Sequence, residues 1–253
     1  MNRIKITVGV VTLILQATLV PLPAAMASVR LNDSQISQEA EAKFAADKVD
    51  KDAQVTVQDG VVTLSGTVNT IDQVERTGKS ISKLTGVRAV NNNLRVASVP
   101  DEKVAADAAR QILRYPYYTI FDDVNVEAQD GKLVLSGQVL MPYRKSDIGA
   151  LMKGVTGVQE IENNLEVLPI SPDDDMIRLR VARAIFGDPS LYRYGLGVNP
   201  PIHIIVKNGN VRLTGVVRTT MDKQLAERAA RFAALYFGFQ NDLRVEGKMA
   251  EKG

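Results

Sequence analysis

The residues closest to a catalytic or metal-binding set are one histidine and one run of acids. His203 is the single histidine among 253 residues, and the chain has no cysteine. Zinc sites and serine triads need several groups converging on one point, so a lone histidine supplies neither. Asp173, Asp174 and Asp175 are consecutive, and consecutive helical residues point in different directions and rarely share one ion. We interpret them as first-turn acids that oppose the helix dipole.

The serines and threonines lie in no recognisable nucleophile motif, and no Gly-rich loop is followed by a lysine that could hold a phosphate. Catalysis normally requires an acid, a base or a nucleophile positioned together in one pocket. The sequence contains no such set. We therefore expect a protein that is not an enzyme and that uses no cofactor or metal ion.

Aromatic side chains are scarce, and two tyrosine-rich stretches offer contact chemistry instead. Tyrosine provides a large apolar area with a polar tip, which suits protein interfaces and membrane surfaces alike. The alternative, which the sequence favours slightly, is that these rings close the ends of two small cores or pack one unit against another. The candidate contact residues for lipid or a partner are Tyr115, Tyr117, Tyr118, Tyr192, Arg193 and Tyr194.

A second candidate surface lies near the C-terminus, where arginines and aromatic residues follow one another along a predicted helix. A helix with basic and aromatic edges can lie on a lipid surface. The sequence favours the other interpretation, in which the aromatic residues complete a hydrophobic core. The residues concerned are Arg228, Arg231, Phe232, Tyr236, Phe237 and Phe239.

These stretches belong to a pattern that the chain repeats three times. A phrase of the form Gly-x-Val/Leu-x-Leu-Ser/Thr-Gly-x-Val begins at Gly60, Gly131 and Gly209. A second phrase, built around Asn-Asn-Leu or a close variant, follows each copy. The second phrases occupy residues 90–94, 161–165 and 239–243. Each copy is therefore one structural unit.

The first unit has the pattern helix, strand, strand, helix, strand. Residues 53–57 alternate apolar and polar side chains, as a half-buried strand does. Asp59 and Gly60 predict a type I′ hairpin turn, because both tolerate positive φ. Residues 70–73 form a capping box that begins the second helix. Residues 87–96 predict the last strand, and the other two units repeat this order.

Three glycines, Gly66, Gly137 and Gly215, lie on the apolar face of the second strand, in phase with leucine and valine. Glycine weakens a strand, so a structural reason must favour it there. We predict either the close approach of a helix backbone to the sheet or a bulge. We do not interpret these structural motif glycines as a phosphate loop.

The predicted fold class is α+β, with three tandem small αββαβ domains that each contain a three-stranded sheet and two helices. The predicted domains occupy residues 28–98, 99–169 and 170–248, with an insertion at 187–200 in the third. In the third unit, Leu235 and Tyr236 stand where the other units have Gly-Val. This difference predicts a longer second helix and a later last strand.

Residues 1–27 have the pattern of a signal peptide. Arg3 and Lys5 precede an apolar run, and Ala25 and Ala27 fit a signal-peptidase site that is cleaved after Ala27. The run of about 15 residues is short for a bilayer span of roughly 20, although an uncleaved anchor is an alternative. We predict a periplasmic protein, with secretion as the alternative location.

Removal of this leader leaves a formally neutral protein, because the leader carries two of the 31 basic residues and none of the 29 acids. Nucleic-acid binding normally needs a basic stripe or patch. We therefore expect no nucleic-acid partner.

The repeated Gly-x-Val/Leu-x-Leu-Ser/Thr-Gly-x-Val phrase, a helix and then Val-x-x-Asn-Asn-Leu resemble the BON domain, named after bacterial osmotically inducible periplasmic proteins and nodulation proteins. Three copies in phase cover nearly all of the chain after the leader. The resemblance implies an αββαβ fold, export to the bacterial envelope, and binding of phospholipid or envelope partners in osmotic or envelope stress. It brings no catalytic residues with it.

We expect a non-enzymatic envelope binding protein that attaches to a phospholipid membrane surface or to envelope proteins. Three copies would add weak contacts through effective concentration. The alternative is a protein-interaction or chaperone-like module in the envelope or a secretion machine.

Overall fold

The chain forms three successive α+β domains, as the repeat predicts. The computed structural model describes residues 32–46 and 53–247. The predicted signal peptide, residues 1–27, lies outside the described residues. Within the described ranges no helix is both long enough and apolar enough to cross a bilayer.

In the described residues, each domain contains two α-helices and one sheet. The first domain consists of α1 (Asp33–Ala46), β1 (Gln54–Gln58), β2 (Val61–Val68), α2 (Ile71–Ile81) and β3 (Ala89–Val96). The second consists of α3 (Asp101–Leu113), β4 (Asp123–Gln129), β5 (Lys132–Val139), α4 (Pro142–Met152), β6 (Glu160–Asn163) and β7 (Glu166–Val167). The third consists of α5 (Pro172–Phe186), a short 3-10 helix (Tyr192–Gly195), β8 (Ile202–Lys207), β9 (Asn210–Val217), α6 (Thr220–Arg231), β10 (Gly238–Asn241) and β11 (Arg244–Val245).

The strand order is the same in all three domains. The first two strands form an antiparallel hairpin, and the last strand returns parallel to the central strand after the second helix. Alternate residues of the central strand, such as Leu133 and Leu135, are fully buried in a core that belongs to that domain. The capping box at α2 is also present, since Thr70 accepts from the Gln73 N–H and Gln73 accepts from the Asn69 N–H.

The three predicted hairpin turns are confirmed. Asp59, Asp130 and Asn208 have φ of 50°, 51° and 51°, and the glycine after each also has positive φ. Two successive positive φ angles are the geometry of a type I′ turn, which matches the right-handed twist of the strands it joins. The Asx-Gly pair is therefore a direct requirement of this turn.

An aspartate at the start of the first helix holds each of these turns. The Asp174 carboxylate accepts from the N–H groups of Asn208 (2.9 Å) and Gly209 (2.7 Å). Asp33 and Asp101 do the same at the turns of the first and second domains. The predicted first-turn position of the acids is correct, and Asp174 in addition joins the helix to the hairpin.

The strand glycines are required by backbone geometry within the sheet. Gly66, Gly137 and Gly215 have φ of +111°, +113° and +108°, a region that side-chain-bearing residues rarely adopt. A Cβ at Gly137 would lie 2.1 Å from the carbonyl oxygen of Asp123 on the paired strand. The expectation of a closely approaching helix is therefore wrong, because the obstructing atoms belong to the neighbouring strand.

The second helix and the last strand of the third domain begin at the positions equivalent to those of the second domain. The prediction of a longer helix and a later strand is therefore wrong. Helix α6 ends at Arg231, one residue beyond the position equivalent to the end of α4. β10 begins with Gly238 opposite Asn210, which matches Glu160 opposite Lys132 in the second domain. Leu235 and its neighbours therefore form a loop of unchanged length and different composition.

The first and second domains are joined by backbone hydrogen bonds. The Asp72 N–H donates to the Lys153 carbonyl (3.0 Å), and the Gly157 N–H donates to the Asn69 carbonyl (3.0 Å). Lys153 also forms an ion pair with Glu75 at 2.7 Å. The start of α2 therefore rests on the loop between α4 and β6.

The second and third domains meet through a different surface. The Ile204 N–H donates to the Ile120 carbonyl (2.7 Å), and Arg212 contacts both Asp123 (3.1 Å) and Gln138 (2.5 Å). Ile120 and Phe121 also pack against the core of the third domain. The helices of the third domain thus cover one face of its sheet. The second domain covers part of the other face, where a groove lined by Gln138, Ile205 and Gln240 stays open.

Candidate functional site

The tyrosines predicted as contacts in the second domain are mostly structural. Tyr115 is buried, and its hydroxyl donates to Asp147 (2.6 Å) on α4. Tyr118 packs against His203 across the domain boundary, with ring centroids 5.4 Å apart. Only Tyr117 is strongly exposed, and its ring stacks edge-on against Tyr115.

The corresponding stretch of the third domain is also largely structural. Tyr194 is buried and donates to Asp222 (2.9 Å), while Arg193 pairs with the same carboxylate (2.6 Å). Burial raises the pKa of Asp222, but the hydrogen bonds from Thr219, Tyr194 and Arg193 outweigh it, so the net pKa lies below its usual value. Of the two tyrosines in this stretch, only Tyr192 is strongly exposed. The six candidates therefore supply two strongly exposed rings, Tyr117 and Tyr192. The Tyr117 ring also packs edge-on against Tyr143 of α4, with ring centroids 5.9 Å apart.

A different segment carries three large apolar side chains that are almost fully exposed. We call residues 232–237 the apolar loop, which joins α6 to β10. Phe232, Leu235 and Phe237 are 86%, 95% and 91% exposed. Side chains of this size and exposure in one short segment mark an interaction site, because water contact with them is unfavourable.

The apolar loop forms one wall of an open groove of about 640 Å³. The other wall is the first half of α5, including Met176 and Arg180. Arg228 and Arg231 are exposed on α6 directly before the loop. The groove therefore combines apolar side chains with one arginine, Arg180, and two carboxylates, Asp173 and Asp174.

The sequence identified these residues but assigned most of them to the core. Tyr236 and Phe239 do pack against the core of the third domain, as that interpretation predicts. Phe232 and Phe237 do not, because α6 ends before them and the loop turns their side chains outward. The signal that marks the site is the replacement of small residues by large apolar ones in a loop of constant length.

The equivalent loop of the second domain shows what this position does in the fold. Residues 153–159 join α4 to β6, and they accept the start of α2 from the first domain through the bonds of Lys153 and Gly157. Val155 and Val158 are buried there. The loop after the second helix is thus a docking position in the second domain and an open surface in the third.

His203 lies at the contact between the second and third domains, and its protonation makes the stability of the protein depend on pH. Burial lowers its pKa below the usual value of 6.5, although Asp123 and the backbone at Asp122 and Thr119 act in the opposite sense. Above pH 6.5 His203 is neutral in both the folded and the unfolded state. Below pH 6.5 the unfolded state binds a proton that the folded state does not, so the folded state loses stability as the pH falls.

We expect the free energy of unfolding to fall between pH 7 and pH 5 with a component of at most about 1.4 kcal/mol per pH unit from this one proton. Urea denaturation of the wild type and of His203→Gln across this range measures it. The variant should have the shallower pH dependence. Equal slopes for the two proteins would contradict the assignment.

Comparisons with known proteins give a family match and distant structural likenesses. The model of the BON domain matches residues 32–98, 100–169 and 173–234. No curated protein matches the chain at a significant level.

Two solved structures are distantly similar to the chain. One is the C-terminal domain of CdsD, a structural protein of the type III secretion system of Chlamydia trachomatis; it is 14% identical, with 85% of this chain and 99% of that one covered and a TM-score of 0.25. The other is the periplasmic domain of the type III secretion inner membrane protein PrgH from S. typhimurium; it is 10% identical, with 83% and 100% covered and a TM-score of 0.21. Likenesses this weak carry no argument about assembly or function.

Proposed function

Because this chain belongs to the BON domain family, with three copies in tandem, we propose that it is a non-enzymatic binding protein of the bacterial envelope. Its periplasmic location is part of the proposal, with secretion as the alternative. The binding surface is the apolar loop of the third domain, and its partner is a protein surface.

One observation carries this proposal. In the second domain, the loop after the second helix already binds another part of this chain, because residues 153–159 form backbone hydrogen bonds with the start of α2. The third domain presents the same position without a cover and with large apolar residues, Phe232, Leu235 and Phe237. Aromatic and aliphatic anchors in a central patch supply most of the binding energy of protein interfaces.

Attachment to phospholipid is the second candidate function, and a specific observation favours it too. Arg180 lines the groove together with Phe237. The exposed Arg228 and Arg231 precede Phe232 in the chain, and Arg231 is paired with Glu227. Aromatic side chains insert at the level of lipid headgroups, and each nearby cation contributes about 1 kcal/mol of attraction to an anionic membrane. The same loop would then enter the interface of the bilayer.

A photo-cross-linking amino acid placed at Leu235 separates these functions. In cells, irradiation should produce adducts that are larger than the chain by the mass of a protein. The same replacement at Tyr192, which is also exposed but lies outside the apolar loop, is the matched control and should give no such adduct.

The triple variant Phe232→Ser, Leu235→Ser, Phe237→Ser should bind the captured partner at least about tenfold more weakly, since truncating hot-spot side chains commonly costs more than 1.4 kcal/mol. Flotation of the purified protein with anionic vesicles tests the lipid alternative. Flotation that the triple variant loses, with no protein adduct at Leu235, would replace the protein partner by lipid.

A further inference from the structure

Among the described residues, a helix start of one domain docks on a loop of the next domain once, and the equivalents of both surfaces are exposed elsewhere in the chain. The made contact joins the start of α2 in the first domain to the loop of residues 153–159 in the second. The equivalent loop of the third domain is open, and so is the equivalent helix start of the second domain. We call the latter, residues 140–143, the α4 start.

The strand registers establish which residues correspond on the loop side. Lys132 faces Glu160 in the second domain, and Asn210 faces Gly238 in the third, so equivalent residues differ by 78 in number. Residues 153–159 therefore correspond to residues 231–237. Three positions become large and apolar between the two domains. They are Gly154, Gly157 and Gln159, which correspond to Phe232, Leu235 and Phe237.

The helix side changes in the same direction. Gly66 and Gly137 occupy the same position in β2 and β5, which sets an offset of 71 and aligns residues 69–72 with 140–143. Thr70 then corresponds to Met141, and Asp72 corresponds to Tyr143. Met141 and Tyr143 are both exposed. Small or polar residues on both sides of the internal contact are thus replaced by larger apolar or aromatic residues on the two exposed surfaces, which makes these surfaces complementary.

The backbone groups that form the internal contact are also present at the α4 start. In the first domain the donor is the N–H of Asp72 and the acceptor is the carbonyl of Asn69. Their counterparts are the N–H of Tyr143 and the carbonyl of Leu140. Tyr143 lies in the first turn of α4, where an N–H has no acceptor within the helix.

These two surfaces do not meet within one chain. The third domain packs on the second through Arg212, Ile204 and His203, on the sheet side of the third domain. Phe232, Leu235 and Phe237 remain almost fully exposed in that arrangement. A contact between the α4 start and the apolar loop therefore requires two molecules.

We propose that the protein partner of the apolar loop is the α4 start of a second copy of this chain. This inference rests on the proposed function, since it names the partner of the same loop. The contact joins two different surfaces, so copies add head to tail and generate a ring or an open filament. The helix start of one copy occupies the loop of the next, as the α2 start occupies residues 153–159.

Disulfide cross-linking of the purified chain after removal of residues 1–27 tests this contact cleanly, because the chain contains no cysteine. Tyr143→Cys and Leu235→Cys are prepared as separate proteins, mixed and mildly oxidised. The mixed disulfide should form at least about tenfold faster than that between Met221→Cys and Leu235→Cys, since docking raises the local thiol concentration. Met221 is the exposed equivalent of Tyr143 in the third domain and serves as the matched control.

Sedimentation gives a second measurement without cysteines. The wild-type chain should form larger species as its concentration rises, and Tyr143→Ser and Leu235→Ser should each remain monomeric over the same range. Equal cross-linking rates with Tyr143→Cys and Met221→Cys, or a wild type that stays monomeric, would overturn the inference. If the cross-linker at Leu235 still captures a different envelope protein, self-docking is wrong and the proposed function stands. If the cross-linker captures no protein, both self-docking and the protein partner in the proposed function are wrong.

Discussion

Gly215→Ala should destabilise the third domain by about 3 kcal/mol or more, because it combines a disallowed backbone conformation with an overlap in the sheet. Gly215 has φ +108°, and an added Cβ would lie 2.0 Å from the carbonyl oxygen of Pro201. Neither atom can move without disturbing the pairing of β8 with β9. A small domain has a total stability of only about 5–15 kcal/mol, so this change removes a large share of it.

Chemical denaturation monitored by circular dichroism measures this loss. Gly197→Ala is the control within the same domain, because the nearest atoms, the backbone N and O of Asn199, would lie 3.9 Å from the added Cβ. It should change the free energy of unfolding by less than about 1 kcal/mol. Comparable losses in both variants would show that the strand geometry at Gly215 is not the cause.

Asp174→Ala is expected to cost about 2–4 kcal/mol, since it leaves two N–H groups at a hairpin turn without an acceptor. The Asp174 carboxylate is 1% exposed and accepts from both Asn208 and Gly209. Water cannot replace it readily at a site with so little exposure. The hairpin of β8 and β9 should also lose protection against amide hydrogen exchange.

Asp173→Ala is the matched control for this prediction. Asp173 lies in the same first turn of α5 and is exposed, so it shares the dipole interaction and lacks the bonds to the hairpin. Its removal should cost no more than about 1 kcal/mol. If the two variants lose equal stability, the contribution of Asp174 comes from the helix dipole and not from the turn.

Local features of this fold could be predicted from the sequence because local physics determines them. Asp59-Gly60 and its two counterparts specify turns through their tolerance of positive φ, and residues 70–73 specify a helix start through two reciprocal hydrogen bonds. The repetition of these signals at fixed spacing then predicts three domains. Each of these inferences needs only residues that lie close together in the chain.

The candidate site depended on contacts between distant residues, which the sequence pattern does not specify. The sequence alone does not show whether the rings of Tyr118 and His203 are exposed or buried. They pack against each other because one domain packs on the next. The apolar loop shows the reverse error. Phe232 and Phe237 follow a core helix in sequence, and the fold turns them outward where no neighbour covers them.

One sequence signal did mark the contact between the second and third domains. β1 alternates apolar and polar residues, whereas β8 carries Ile204, Ile205 and Val206 in succession. Alternation is typical of a strand with one solvent-exposed face, and a continuous apolar run is typical of a strand that is buried on both faces. Ile205 is buried, and it lines a groove together with Gln138 of the second domain.

The backbone bonds of Asp72 and Gly157 fix the orientation of the first domain on the second, and the contacts of Arg212 fix that of the third. Any chain of copies joined end to end would inherit these angles at every step. Its curvature would therefore be encoded inside the protomer, and substitutions far from the joint between copies could change the diameter of a ring or the pitch of a filament.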